Sequence, residues 1–442
     1  MNDRQFGSTT PRFSVFTPSH DPRWLDQCFE SLVAQTTDDW EWIVVLNGGA
    51  SWKPPRRGYP VLVIDMPRRI GVGEAKRLAC EWANGEILVE LDHDDLLTSG
   101  ALEAIGDAFD RNPGAALVYS HWGQILDDGS PDPSQFAASA GWTYRTGDVD
   151  GRQLTFAQAM APTPHNVSYI WFAPNHVRAF RASSYNAAGG YDRTLDILDD
   201  QELMARLYLQ GDFVLVDECL YLQRMHGRNT HRDASINERI QSETVALYDT
   251  HFERTALAWA ARASLDTVEW RADELATPGY SHLHLVERSD SGSWGTGHFA
   301  DSSVGVIRLE DVLHLVADPV ALMNELYRIL APGGVIITGT PSTDGRGAFQ
   351  HPCTRSYWNE NSFWYYTEDA YARRIPGLEA RFQVSRAVTI YPSEWHEVRS
   401  LAYVFVNLIA LKEGTPRNGG ALLATAPSSG AGRSGATHEL AS

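Results

Sequence analysis

Apolar positions in the first half of the chain alternate between two rhythms. Short unbroken apolar runs occur at Arg12-Phe13-Ser14-Val15-Phe16-Thr17-Pro18, Glu41-Trp42-Ile43-Val44-Val45-Leu46, Val61-Leu62-Val63-Ile64-Asp65 and Gly85-Glu86-Ile87-Leu88-Val89-Glu90-Leu91. Runs of this length, rich in β-branched and aromatic residues, predict buried strands. Between the first two, Trp24, Leu25, Cys28, Phe29, Leu32 and Val33 recur at helical spacing. A second helix is predicted from Gly71-Val72-Gly73-Glu74-Ala75-Lys76-Arg77, and a third near Thr98 or Ser99. Strands alternating with helices predict an α/β fold built on an open, mostly parallel sheet. Such sheets bind ligands outside the carboxyl ends of their strands. Thr17-Pro18-Ser19, Asn47-Gly48-Gly49 and Asp92-His93-Asp94-Asp95 all fall at that edge.

The last of these turns is the most informative. It brings three carboxylates within four positions straight after an apolar strand. Unpaired carboxylates are costly to bury, so such a cluster faces water or a cation. Mg²⁺ and Mn²⁺ take carboxylate oxygens together with ligand phosphate. A polar exit from the strand, or a cap for the following helix, fits the same four residues.

The order of motifs from Phe13 to about His231 resembles a family 2 glycosyltransferase with the GT-A fold. The resemblance rests on the proline-ended first strand, on Glu30-Ser31-Leu32-Val33-Ala34-Gln35, and on Trp40–Leu46 running into Asn47-Gly48-Gly49. It is extended by Gly71–Arg77, by Asp92-His93-Asp94 in the place of the family's Asp-x-Asp, and by Gly189-Gly190-Tyr191-Asp192. Asp199-Asp200-Gln201-Glu202 and Tyr221-Leu222-Gln223-Arg224-Met225-His226 complete it. What the resemblance implies is an inverting, metal-dependent transfer of a sugar from a nucleotide-sugar, a UDP-sugar by default, to a hydroxyl of a glycan or glycoconjugate. Asp200 falls on the catalytic base, and Asp94 and His226 on the ligands of Mn²⁺ or Mg²⁺. Pro18, Ser19, His20, Asn47, Lys76, Asp92 and His93 fall on the nucleotide-sugar side, and Gly190, Tyr191 and Asp199 on the acceptor side. Departures are Asn47 where an acid is frequent, His20-Asp21 for a Tyr-Asn pair, and Lys76 for an arginine. Taken alone, Asp200 also reads as a helix cap and His226 as a surface histidine near Arg224 and Arg228. The tryptophans read as core, with Trp122, Trp142 and Trp171 in the region of the acceptor.

A second unit follows a helix predicted over Ile236–Leu265. Asp318-Pro319 opens an amphipathic helix through Leu322, Leu326 and Leu330, and Leu330-Ala331-Pro332-Gly333-Gly334-Val335-Ile336-Ile337-Thr338 reads as helix stop, turn and strand. With Pro341–Gly347 and Trp358–Trp364, this stretch resembles the second half of a class I methyltransferase that uses S-adenosylmethionine. That family's glycine-rich loop follows its first strand. Between Arg271 and Asp301 only Pro278-Gly279-Tyr280 and Gly292-Ser293-Trp294-Gly295 occur, and Tyr280–Glu287 would match the second strand. The expectation is a truncated, degenerate module that lacks the first strand, does not bind S-adenosylmethionine, and serves packing, acceptor binding or homo-oligomer formation. A bifunctional enzyme and a non-catalytic scaffold for polysaccharide assembly are the alternatives. The division predicted is a tail over 1–11, a GT-A domain over 12–235, a helical connector over 236–268, a partial methyltransferase-like α/β domain over 269–412, and a disordered tail over 413–442.

Charge narrows the partners. The chain carries 37 basic and 56 acidic residues, a net charge of −19, which disfavours nucleic acid and anionic membranes. No apolar run approaches the roughly 20 residues that span a bilayer. Four scattered cysteines, Cys28, Cys80, Cys219 and Cys353, lack metal spacing and, with no signal peptide visible after Met1, lead to an expectation of a reducing cytoplasm.

Overall fold

The structure is a computed structural model, and it describes residues 10–169, 173–227, 234–271, 277–283 and 296–420. Trp171, Arg228, Glu287 and Gly292–Gly295, singled out above, lie outside these residues.

The first unit is built on one large sheet. Its strands are β1 (Phe13–Ser19), β2 (Trp40–Asn47), β3 (Val61–Met66), β4 (Ile87–Glu90), β5 (Leu96–Leu97), β6 (Ala115–Ile125), β7 (Tyr144–Val149), β8 (Arg152–Ala157), β9 (Arg178–Arg181) and β10 (Asp212–Arg224). They run in the order β3-β2-β1-β4-β9-β6-β10-β5, with β8 on β6 and β7 on β8. The block β3-β2-β1-β4 is parallel, as predicted, and β9 is antiparallel to both its neighbours. Every residue of β2 is buried, because helices cover both faces of a parallel sheet. Helices α1 (Leu25–Val33), α2 (Val72–Trp82) and α3 (Ala101–Arg111) supply that cover. α1 buries Leu25, Cys28, Phe29 and Leu32, the residues that the periodicity marks. Trp42 and Trp122 are fully buried and Trp142 nearly so, so these three are core.

The later helices of this unit are α4 (Pro164–Ser168), α5 (Ala182–Ala187) and α6 (Asp199–Leu207). Gly73 lets α2 close onto the turn before α6: a Cβ there would lie 2.2 Å from the Asp192 carbonyl oxygen, and the Gly73 amide donates to Leu195 O at 3.0 Å. Only glycine permits that approach.

A single helix, α7 (Ala234–Arg262), joins the two units. Beyond it stand β11 (Asp266–Arg271), β12 (Ser281–Leu283), β13 (Val304–Glu310), β14 (Leu330–Pro341), β15 (Phe382–Ile390) and β16 (Tyr403–Ala410) in the order β12-β11-β13-β14-β16-β15. The first four are parallel, and the last two join antiparallel. The predicted helix at Asp318 is α8 (Pro319–Ile329), whose amide at Ala321 donates to the Asp318 carboxylate at 3.0 Å. Proline at the first helical position costs no hydrogen bond there.

Two expectations change. A strand does precede β12: it is β11, within the stretch assigned to the connector and the domain start. Its Asp266-Thr267-Val268-Glu269-Trp270-Arg271 carries charge at three of six positions, which hides it among loops. The tail also begins later than Glu413. Asn418 is 1% exposed and lies against the first unit, where Thr163 Oγ1 donates to its Oδ1 at 2.6 Å.

The seam between the units has a consequence for acid stability. Burial holds His165 neutral and pushes its pKa down to about 4, opposed only by the Gly419 carbonyl. An unfolded imidazole titrates near 6.5, so between those values the unfolded chain binds more protons, and stability falls as pH drops through the window. We expect a loss of about 2 kcal/mol between pH 7 and 5 from this group. Urea midpoints of wild type and His165→Asn check it. Parallel decline of both proteins would assign the effect elsewhere.

Candidate active site

A cleft of about 1300 Å³ opens at the carboxyl edge of the first sheet. Pro18 and Ser19 reach it from β1, Asn47 from β2, Lys76 from α2 and Asp92–Asp95 from the loop after β4. Asp199 and Asp200 enter at the start of α6, and His226 just past β10. The Ser19 hydroxyl is buried and has no hydrogen-bond partner among the described residues, which leaves a polar atom at the cleft for a ligand. His20 and His93 meet edge to face, with ring centroids 4.9 Å apart.

Beneath the cleft lies a ladder of opposite charges. Glu90, the last residue of β4, is fully buried. It accepts from Arg178 Nε at 2.8 Å and Nη2 at 2.9 Å, from Tyr191 Oη at 3.0 Å, and pairs with Lys76 Nζ at 2.6 Å. Lys76 also reaches Asp199 at 2.8 Å, and Arg178 Nη1 reaches Asp200 Oδ2 at 2.6 Å. Burial alone would raise the pKa of Glu90, but Arg178 and Lys76 outweigh it and hold the carboxylate well below its usual range. The same contest ends the same way at Asp200, where burial is overcome by Arg178 and then Lys76, so this carboxyl is ionised. At Asp199 burial wins, and the pKa is raised despite Lys76. Asp200 remains open to the cleft, its side chain 27% exposed, and its Oδ1 accepts from the Gln201 amide at 2.7 Å.

The acidic loop is short of positive charge. Burial pushes Asp92 up to about 7, with Lys76 pulling the other way, and burial, Asp94 and Asp92 raise Asp95 well above the ordinary carboxylate value. Asp94 is instead lowered: burial is overcome by the hydrogen bond from His226, whose Nε2 lies 2.8 Å from Asp94 Oδ2. The ring of His226 stacks on Trp24 at 4.7 Å, which fixes its plane. Crowded carboxylates that retain protons mark a place where a divalent cation fits. Two donor sets share the loop. One is Asp94 with His226. The other is Asp92, Asp95 and His176, whose ligating atoms lie within 4.8 Å of one another, and His176 Nδ1 is buried without a hydrogen-bond partner among the described residues.

Residues 14–169 match the family model for Glycosyl transferase family 2, the span that holds the acidic loop and the β3-β2-β1-β4 edge. The chain carries a family 2 glycosyltransferase domain. Residues 288–338 match a Methyltransferase domain, so the second unit is methyltransferase-like. Chondroitin synthase of Escherichia coli is 23% identical over 227 residues, 50% of this chain and 30% of that protein. An uncharacterized protein of Sinorhizobium fredii is 30% identical over 137 residues, 28% of this chain and 15% of that one. The chain thus spans less than a third of the length of these curated relatives. Among solved structures, S. aureus TarS 1-349 in complex with UDP-GlcNAc aligns with a TM-score of 0.40 at 14% identity, over 57% of this chain and 71% of that one. The complex of the same protein with UDP gives 0.39 at 13% identity, over 57% and 70%. No residue role is carried over at that distance.

Around the cleft, four positions differ from expectation. Tyr191 is fully buried under the site and serves Glu90, so it does not face an acceptor; Gly190 forms the turn behind it at φ +69. Asn47 spends its amide on the chain itself: Nδ2 donates to Ile70 O and Oδ1 accepts from Ile70 N, both at 2.9 Å. It therefore pins the loop before α2. Lys76 is committed to two carboxylates, not free for a phosphate.

Four residues go unnoticed in the sequence. Glu90 looks like the polar end of a strand, and Arg178 and His176 lie in a stretch without a motif. Arg69 is exposed at the cleft wall, and no ion pair to it occurs among the described residues. A guanidinium there suits an anionic ligand. The place of Arg69 three residues before Val72, where α2 starts, is the available signal.

Proposed function

We propose that the chain transfers a sugar from a nucleoside diphosphate sugar, a UDP-sugar first among them, to a hydroxyl of a glycan or glycoconjugate. The observation that carries this reading is the cleft itself. It sets an ionised, arginine-held Asp200 across from an acidic loop short of positive charge, and that loop lies in the span that matches family 2. Asp200 accepts the acceptor hydroxyl's proton on the face opposite the leaving group, so the anomeric carbon inverts. Arg178 keeps its carboxylate aimed and charged. Ser19 and Arg69 contact the nucleotide, with Asp92 and His93 at the rim. Asp94 and His226 would hold the cation, and Mn²⁺ or Mg²⁺, when bound, would supply positive charge to the diphosphate. The match to chondroitin synthase supports a polysaccharide as the product.

A thermal-shift panel of UDP, GDP, dTDP and S-adenosylmethionine, each with and without Mn²⁺, tests the reading. Ligand at 100 times its dissociation constant adds about 2.7 kcal/mol, which moves melting by roughly 2–4 °C for a unit of this size. A shift with one nucleotide that requires Mn²⁺ is the expected outcome. A shift with S-adenosylmethionine alone would overturn both the donor and the view of the second unit as non-binding; the segment 272–276 after β11 contains no glycine.

The same assay separates the two cation sets. Asp94→Ala and His226→Ala should each weaken Mn²⁺-dependent UDP binding by more than the roughly 10–100-fold that even an outer partner of a metal is worth. If His176→Ala does this while His226→Ala does not, the cation belongs to the Asp92, Asp95 and His176 set.

A further inference from the structure

Helix α6, which presents Asp200, does not hold itself in place. It opens without a side-chain cap, and the residue before it, Leu198, stands at φ +58, a conformation that a leucine adopts only when its surroundings impose it. Leu198 clusters with Ile197 and Ile240, and the helix itself is joined to α4. Gln201, next to the base, donates through Nε2 to the Val167 carbonyl. Yet α4 is a single five-residue helix with every residue buried, too short to persist alone.

Thr163 caps α4 and Asn166 Nδ2 donates to Ala161 O at 2.8 Å within the first unit, and further buried bonds come from the second unit. His165 of α4 lies between Ser385 Oγ of β15, at 2.8 Å from Nδ1, and the Gly419 carbonyl, at 2.9 Å from Nε2. Asn166 Nδ2 donates to Arg417 O at 2.9 Å, and its Oδ1 accepts from the Gly419 amide at 2.8 Å. Ser385 is shared further: its Oγ is 2.6 Å from the Tyr248 hydroxyl of α7, and its carbonyl accepts from Tyr169 Oη at 2.6 Å. The bonds at His165, Asn166 and Ser385 lie among buried groups, where a broken bond costs more than one at a surface.

We propose that the methyltransferase-like unit acts as the positioning element for the transferase base, with Ser385, His165, Asn166 and Gln201 as positioning residues that act through α4 and α6 on Asp200. The proposal rests on the reading of Asp200 as the base. It gives the second unit a role that needs no methyl transfer: its sheet edge and the strap 411–420 fix α4, and α4 fixes the turn from which Asp200 projects.

The test uses the full chain with Ser385→Ala and Asn166→Ala, read by kinetics with a UDP-sugar donor, by UDP binding and by amide exchange. A base displaced by a fraction of an ångström should cost about 10- to 100-fold in kcat, with UDP affinity and donor KM unchanged. Amides of 199–207 should exchange faster while those of β1 and β4 stay protected. Unchanged kcat in a variant whose α4 amides have loosened overturns the proposal, and so does an equal loss of kcat and UDP affinity, which would mean general loosening. If wild type transfers no sugar from any nucleotide, the reading of Asp200 fails separately. Exchange at 199–207 that ignores Ser385→Ala then overturns the mechanical link on its own. Should Asn166→Ala not fold, Gln201→Ala cuts the last contact from within the first unit, and the same split between kcat and KM is expected.

Discussion

Asp200→Asn should abolish sugar transfer and leave nucleotide binding nearly intact. The amide keeps the size of the carboxyl, and its single oxygen can still accept either from Arg178 or from the Gln201 amide, one of the two bonds that the carboxylate takes on separate oxygens. What it loses is the capacity to take a proton, a contribution of roughly 10²–10⁴-fold in rate. Because Arg178 holds this carboxyl below its ordinary value, the acid limb of the rate profile should lie at or below the usual carboxylate range, not near neutrality. Single-turnover assays beside UDP titrations give the answer. Full turnover in the variant would require another base.

The second large effect is on folding. Glu90→Ala should destabilise the first unit by about 3–5 kcal/mol, the cost of stranding buried charges. It would leave Lys76 with Asp199 and Arg178 with Asp200, and remove the Glu90 oxygen to which the Tyr191 hydroxyl donates. Such a loss is a large part of a domain's total stability. Glu90→Gln should cost less, since it keeps the shape and one acceptor. Urea denaturation of both variants checks the order. A loss below about 1 kcal/mol for Glu90→Ala would mean that the ladder repacks with water.

Much of this site can be read from the chain before any coordinates. β1, β2 and β4 announce themselves because strands covered on both faces become continuous apolar runs. Asp92–Asp95 stands out because carboxylates at the end of such a run have no inexpensive burial. Asp94, Asp200 and His226 arrive together in one cleft, although 132 residues separate the first from the last. Their roles remain proposals.

The remainder is hidden for physical reasons. Glu90 and Arg178 are ordinary charged residues in the sequence, and only the pairing of β4 with β9 sets one opposite the other. Tyr191 follows a glycine pair and reads as a surface turn, yet a hydroxyl that reaches Glu90 draws the ring inward. β11 escapes notice because charge at three of its six positions mimics a loop. His165 and Asn166 gain meaning only from partners more than 200 positions later.

The long helix α7 also bears on how such a protein can be taken apart. It lends Ile236, Arg239 and Ile240 to the wall of the cleft at one end, and at the other packs Tyr248, Phe252, Ala256 and Ala260 against β13 and β14. A helix of 29 residues extends about 43 Å, enough to serve two cores at once. No cut along it yields two closed surfaces: one side of the scissors is always left with a raw apolar stripe. A chimaera that grafts this transferase onto another partner must therefore carry α7 whole and borrow a new sheet to lie beneath it.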